Sequence, residues 1–297
     1  MVDRWSDIGD DFSETVYWLA NPIVQRRFQE RIVDGSGFDH WINFCADRFL
    51  APARRILSVG CGDGGLERHL HGLLNADFID GVDISPARIE TARRAAEKAG
   101  LSSLRYFALN VETNPFPEPG YDAIIFDSSL HHVFDVDAML RRVAEALAPG
   151  GILVVNEYIG PNRFRLSARE QQILDSAWLL MPERFRRSCA AVNRGDLQPR
   201  ASYPDPLEVE RVDPSECVQS EEIMPRLREH FEISYFADRG GSLLQFLLAN
   251  IAGNFREDDE TAVRLLKSLF ALEDILTASG DLGVHFALIA ARPKPRA

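Results

Sequence analysis

The stretch ILSVGCGDGGLERHL, residues 56–70, runs an apolar strand into a glycine-rich turn and then into a helix. Such a turn lets backbone N–H groups approach an anionic or polar ligand with no Cβ in the way. Its glycines admit two readings. Gly60, Gly62 and Gly65 satisfy G-x-G-x-x-G, the dinucleotide spacing. Gly60, Gly62 and Gly64 equally satisfy the looser G-x-G-x-G. The turn does not choose between them, so the neighbouring residues must.

Around the turn, from about 55 to 157, strands and helices alternate. Strands are expected at 55–59, 77–83, 104–109, 121–127 and 151–157. They are short apolar runs, as parallel strands buried on both faces require. A helix opens at Ser85-Pro86, with Ser85 as N-cap and Gly100 as its stop. Another opens at Asp135 and ends at Pro149-Gly150. The alternation predicts an α/β, doubly wound sheet.

The flanks read differently. Residues 1–52 are expected to form an N-terminal helical lid, and 53–297 the main domain. An insert at about 160–226 mixes a helix with the Pro-rich LQPRASYPDPLEVERVDPSE. An excursion of that length in a compact domain is expected to cap a site. Strands return at 231–237 and 284–293. The helix near 258–278 carries one apolar face, for the core or for a twin subunit in a homodimer.

Composition narrows the class. The chain has 297 residues, 45% hydrophobic and 26% charged, with net charge −12. So acidic a surface repels phosphate backbones, which excludes nucleic acid as the expected partner. The four cysteines form no C-x-x-C pair, and no His/Cys cluster has zinc spacing, so no metal is expected. Nothing at the N-terminus reads as a signal peptide, and SLLQFLLANIAG is too short to span a bilayer. A cytoplasmic protein with reduced thiols, away from membranes, is expected.

After the second strand comes Asp83, in GVDIS, and since Ser85-Pro86 already starts the helix, Asp83 is left to hold ribose hydroxyls. ALNVE follows the third strand, YDAIIFDSSLHHV ends the fourth, and LAPGG leads into the fifth. In order and spacing, LSVGCGDGG, GVDIS, FDSSLHHV and LAPGG resemble the class I S-adenosylmethionine (SAM)-dependent methyltransferases. The likeness is sharp over 55–157. It extends to a bacterial subgroup through the YW…NP.VQRR stretch, EYIGP (158 region), DPSE (213–216), GG (240–241) and NF (254–255).

The resemblance implies a Rossmann-like seven-stranded sheet of order 3-2-1-4-5-7-6 with the last strand antiparallel, N-terminal helices and a cap after strand five. It implies S-adenosyl-L-methionine as cofactor, held by Gly60, Cys61, Gly62, Asp83, Ile84, Asn110, Val111 and Asp127. Cys61 itself reads as a small space-filler rather than a nucleophile.

Methyl transfer from a sulfonium needs alignment, exclusion of water and, for a hydroxyl or protonated amine, a base. His131 is the candidate base and Glu157 its orienter, on neighbouring strand ends. From an extended segment His131 and His132 cannot both face the site. Tyr17, His132, Tyr158 and Arg163 are candidate substrate contacts, Tyr17 as an aromatic lid and Arg163 as a clamp for an acceptor anion. The expected activity is methylation of a hydroxyl or amine of a small molecule, a specialised metabolite or sugar-type acceptor. Two alternatives stand beside it: another use of SAM, such as cyclisation with release of methylthioadenosine, and, more remotely, a nicotinamide-dependent oxidoreductase.

Overall fold

In the computed structural model of the chain, residues 16–33 and 35–295 are described. The first fifteen residues of the expected lid, the start of the stretch read for a signal peptide, and the last two of the tail lie outside them. The sheet is built from β1 (Arg55–Val59), β2 (Phe78–Asp83), β3 (Leu104–Ala108), β4 (Tyr121–Asp127), β5 (Leu147–Tyr158), β6 (Phe231–Gly240) and β7 (Phe286–Pro293). Its order is β3-β2-β1-β4-β5-β7-β6. The first five strands pair in parallel, and β7 runs antiparallel between β5 and β6. The sequence expectation of order and direction is met.

Helices α1 (Pro22–Val33) and α2 (Trp41–Cys45) precede the sheet, and α3 (Gly65–Leu73), α4 (Pro86–Lys98) and α5 (Val136–Ala146) cross over between strands. Ser85 caps α4 by accepting from Arg88 N, and Asp135 caps α5 by accepting from Ala138 N at 2.8 Å. The central strands are apolar on both faces because both faces are covered: Ile56, Ile79, Ile125 and Val154 pack toward one helical layer, and Leu57, Phe126, Leu153 and Ile289 toward the other.

The described N-terminal residues pack on elements of the main domain. Trp18, Ile23, Val24 and Phe28 share a core with α6 (Ala168–Leu180), α9 (Leu244–Leu248) and α10 (Glu260–Ser279), after the intervening α7 (Pro206–Val212) and α8 (Ile223–His230). Arg31 pairs with Asp238 on β6 at 2.8 Å. Tyr17 is not helical: it has an extended backbone and precedes a short 3-10 turn, Trp18–Ala20. On α10, Ala262, Leu266 and Leu269 are buried, while Ile275 is exposed.

Arg163 is one anchor of the insert after β5. Arg163 has a left-handed backbone (φ 56°), and its guanidinium donates to the carbonyls of Asp213, Pro214 and Glu216. Its own N–H donates to Cys217 O at 2.9 Å. The DPSE segment, with no helix or strand of its own, is thereby fixed against the end of β5. Replacing Arg163 by Ala is expected to speed hydrogen exchange of the 213–218 amides about tenfold or more while leaving the sheet amides unchanged. Unchanged protection of 213–218 would contradict the anchoring role.

A buried carboxyl sits near the glycine turn. Glu67, in the first turn of α3, is fully buried, and burial pushes its carboxyl up to about 7. The folded chain therefore holds this proton more tightly than the unfolded chain does. Its contribution is full below the ordinary glutamate pKa and is lost as pH rises through about 7. Glu67→Gln is expected to be more stable than the parent at pH 8, by about 3 kcal/mol for a shift of this size, and to differ little at pH 4. Urea unfolding without ligand measures this; an equal difference at both pH values would contradict it.

Candidate active site

The glycine turn closes the C-terminal ends of β1 and β2. Gly60 N and Cys61 N both donate to Val82 O, at 2.8 and 3.0 Å. Gly60, Gly62 and Gly64 all have positive φ, which an L side chain would resist. A Cβ on Gly60 would sit 2.3 Å from Ser129 Cβ, so the turn can pack on the end of β4 only with glycine there. Asp83 ties the turn to the next strand. Its Oδ2 accepts from Gly62 N at 2.9 Å and its Oδ1 from Ser85 N at 2.8 Å. It is thus engaged by both the turn and the N-cap residue of α4, and Asp83 is among the residues that line the cavity beside them.

That cavity has a volume of about 470 Å³, within the range of about 300–1,000 Å³ that suits a small ligand. Gly60, Gly62, Asp83, Ile84, Asn110 and Val111 line it, along with Arg88, Glu112, Ser128, Ser129, His132, Phe134 and Ser215. A glycine wall, an acid at the end of β2 and a polar residue after β3 fit an adenosyl group with a zwitterionic tail, the ligand the sequence implies. Asn110 Oδ1 accepts from Glu112 N at 2.9 Å, which turns the chain at the foot of the cavity. Cys61 and Asp127 do not line it. The Cys61 thiol lies over Gly81, where a Cβ would come within 2.9 Å of Sγ, and burial raises its pKa far above the ordinary range. It fills space there. Asp127 accepts from Asn156 Nδ2 at 2.7 Å, and Asn156 in turn accepts from the buried Arg239. Burial pushes the Asp127 carboxyl up to about 6.

The histidine pair departs from the extended geometry expected of it. Leu130–His132 is a 3-10 turn, so the two rings fall side by side with centroids 4.2 Å apart. His132 lines the cavity; His131 lies behind it, with Nδ1 2.6 Å from Glu157 Oε2. The other Glu157 oxygen accepts from Ser129 N and Leu130 N. Burial disfavours charge on His131, but the Glu157 carboxylate, with Glu216 and Asp213 beyond it, outweighs burial and raises its pKa. Burial, and then the charge on His131, lower that of His132.

The remaining candidates fall in different places. Tyr158 is buried among Phe164, His285 and Phe286, its hydroxyl on Pro161 O, so it is part of the core rather than of a substrate wall. Arg163 is spent on backbone carbonyls and clamps the cap, not an acceptor. Tyr17 is half-buried; burial first, then Glu216, push its hydroxyl up to about 12, with Arg239 opposing and Asp127 adding, so it stands among those groups. Sequence reasoning passed over Ser129, Ser215 and Glu216. Ser215 Oγ lies 3.2 Å from His132 Nδ1, and Glu216 Oε2 lies 3.9 Å from His132 Nε2. The signal was the DPSE motif, whose place beside the histidines only the fold reveals.

Residues 56–151 match the family model described as a methyltransferase domain. An uncharacterized methyltransferase of Mycobacterium tuberculosis is 31% identical over 107 residues, which are 36% of this chain and 52% of that one. The demethylmenaquinone methyltransferase of Thermus thermophilus is 32% identical over 122 residues, 41% of this chain and 55% of that one. The chain thus spans about half the length of these curated relatives. Among solved structures, phosphoethanolamine N-methyltransferase 2 of Haemonchus contortus in complex with SAM superposes with a TM-score of 0.52 at 16% identity, covering 99% of this chain and 59% of that one, a likeness of fold. Over residues 56–151 the chain is thus similar to methyltransferase domains, and its fold is shared with a methyltransferase solved in complex with SAM.

Proposed function

We propose that the chain transfers a methyl group from SAM to a hydroxyl or amine of a small molecule. One observation carries the reading: the cavity lined by the glycine turn and Asp83 shares a wall with His132, and the buried His131–Glu157 pair holds that wall from behind. When bound, SAM supplies an activated methyl on a sulfonium, so the chain's own task is alignment and exclusion of water. Gly60 and Gly62 let the backbone approach the cofactor, Asp83 meets the ribose, and Asn110 with Val111 meets the adenine. The acceptor is placed against His132, Ser215 and Glu216, with Tyr17 beside them. The net charge of −12 favours a small acceptor over a nucleic-acid backbone. No helix among the described residues is long and apolar enough to cross a membrane.

Two substitutions separate the roles. Asp83→Ala is expected to weaken SAM binding about 10- to 100-fold by calorimetry, the cost of one charged hydrogen-bonding group. Asp83→Asn, which keeps an acceptor for Gly62 N, should fall between. Wild-type affinity in both variants would sink the ribose assignment. Glu157→Gln is expected to leave SAM affinity within about twofold and to lower turnover about 100-fold or more, because it releases His131 and the turn that carries His132. Full turnover in Glu157→Gln would contradict the placement of the acceptor. The product decides the reaction itself: S-adenosylhomocysteine supports methyl transfer, and methylthioadenosine overturns it.

A further inference from the structure

The densest gathering of metal-ligating side chains beside the cavity lies where the 213–216 segment closes on the histidine pair. One ring nitrogen of His131, one of His132 and a carboxylate oxygen of Glu216 all lie within 4.8 Å of one another. The far side of each ring identifies the nitrogen. His131 Nδ1 faces Glu157 Oε2 at 2.6 Å. His132 Nδ1 faces Ser215 Oγ at 3.2 Å, and that hydroxyl donates to Asp213 Oδ1 at 2.7 Å, so it accepts from the ring. Each Nδ1 therefore faces its own partner, so Nε2 is the nitrogen that each ring has for a metal. A ring nitrogen from each histidine and a carboxylate oxygen thus lie close enough together to share one cation.

We propose that His131 Nε2, His132 Nε2 and Glu216 form a divalent-cation site on the acceptor side of the cavity. The binding stands alone; what the ion does there rests on the methyl-transfer reading above. Two imidazoles and one carboxylate, with the remaining positions open to water or substrate, are the donor set of a catalytic transition-metal site. That set favours Zn²⁺, Co²⁺, Mn²⁺ or Fe²⁺ over Ca²⁺. The outer shell is also present. Glu157 on His131 makes the carboxylate–histidine pair that orients metal ligands, and Ser215 with Asp213 does the same for His132. Glu216, remote from the histidines in sequence, reaches them on a backbone that Arg163 holds by its carbonyls.

His132 and Ser215 line the cavity, so an ion held here faces whatever lies next to the cofactor. This narrows the acceptor from hydroxyl or amine to a hydroxyl with a second oxygen beside it, in a diol, an α-hydroxy acid or an enolised keto acid, able to chelate. On coordination the hydroxyl proton leaves to water. The oxygen's lone pair then forms the O–CH₃ bond while the C–S bond of the sulfonium breaks, the sulfur keeping that electron pair. One proton is released for each methyl transferred.

The test uses the full chain, stripped with a chelator and free of SAM and acceptor. Asp137, Glu229 and His230 form a second grouping elsewhere, already engaged by Arg141 and Arg226, so the measurement is made in the His230→Ala background. Titration with Co²⁺, followed by visible absorption, is expected to show one site per chain. Glu216→Ala and His132→Ala should each weaken it about 100-fold or more, and Glu157→Gln about 10- to 100-fold. SAM binding by Glu216→Ala reports that the fold is intact. A parent chain with no saturable Co²⁺ site, or one bound equally well by Glu216→Ala and His132→Ala, overturns the inference. If S-adenosylhomocysteine still forms in that case, the methyl-transfer reading survives. A cobalt site together with methylthioadenosine as product supports the site and overturns that reading.

Discussion

The arrangement of the site depends on the carboxylate of Glu157. It is buried at the end of β5, where an unpaired charge would be costly. It is satisfied by Ser129 N and Leu130 N on one oxygen and His131 Nδ1 on the other. These bonds impose the 3-10 turn at Leu130–His132, against the extended path the sequence suggests. The turn in turn sets His132 on the cavity wall and carries Ser129 onto the glycine loop, where its hydroxyl donates to Val59 O at 2.6 Å. One buried acid thus registers β5, the end of β4 and the cofactor loop against one another.

A second constraint meets it from the other side. Asp83 joins Gly62 N to Ser85 N and so couples the loop to the start of α4. The cofactor wall is therefore held by the chain's own hydrogen bonds, which lowers the ordering cost of binding. The acceptor wall is built differently. It belongs to an insert whose irregular backbone is fixed by Arg163 and by Val218 N donating to His131 O. One half is thus set by short-range contacts of the sheet and the other by a loop insert, the kind of element that carries specificity on a shared fold.

How much of this was legible follows from the range of each interaction. The strand order, the Ser85 and Asp135 caps and the cofactor wall rest on local patterns: apolar runs, a capping residue, glycines within a turn. These can be read from the sequence one segment at a time. Arg163 reads as a solvated or anion-binding arginine because its three acceptors are backbone carbonyls about fifty residues on, in a stretch with no periodicity. Tyr158 reads as a site residue because it follows Glu157, yet the antiparallel pairing with Phe286 turns it into the core. Glu216 closes the DPSE motif, but that motif does not say what it meets: its meaning lies in a contact with His132 that only the folded insert makes.

The central claim is that cofactor and acceptor walls meet at the histidine turn. A crystal structure of the chain with S-adenosylhomocysteine tests it most directly. The account predicts the ribose hydroxyls on Asp83, the adenine beside Asn110 and Val111, and the sulfur opening toward His132 and Ser215. A ribose held elsewhere, or a sulfur turned away from the histidine pair, would contradict it.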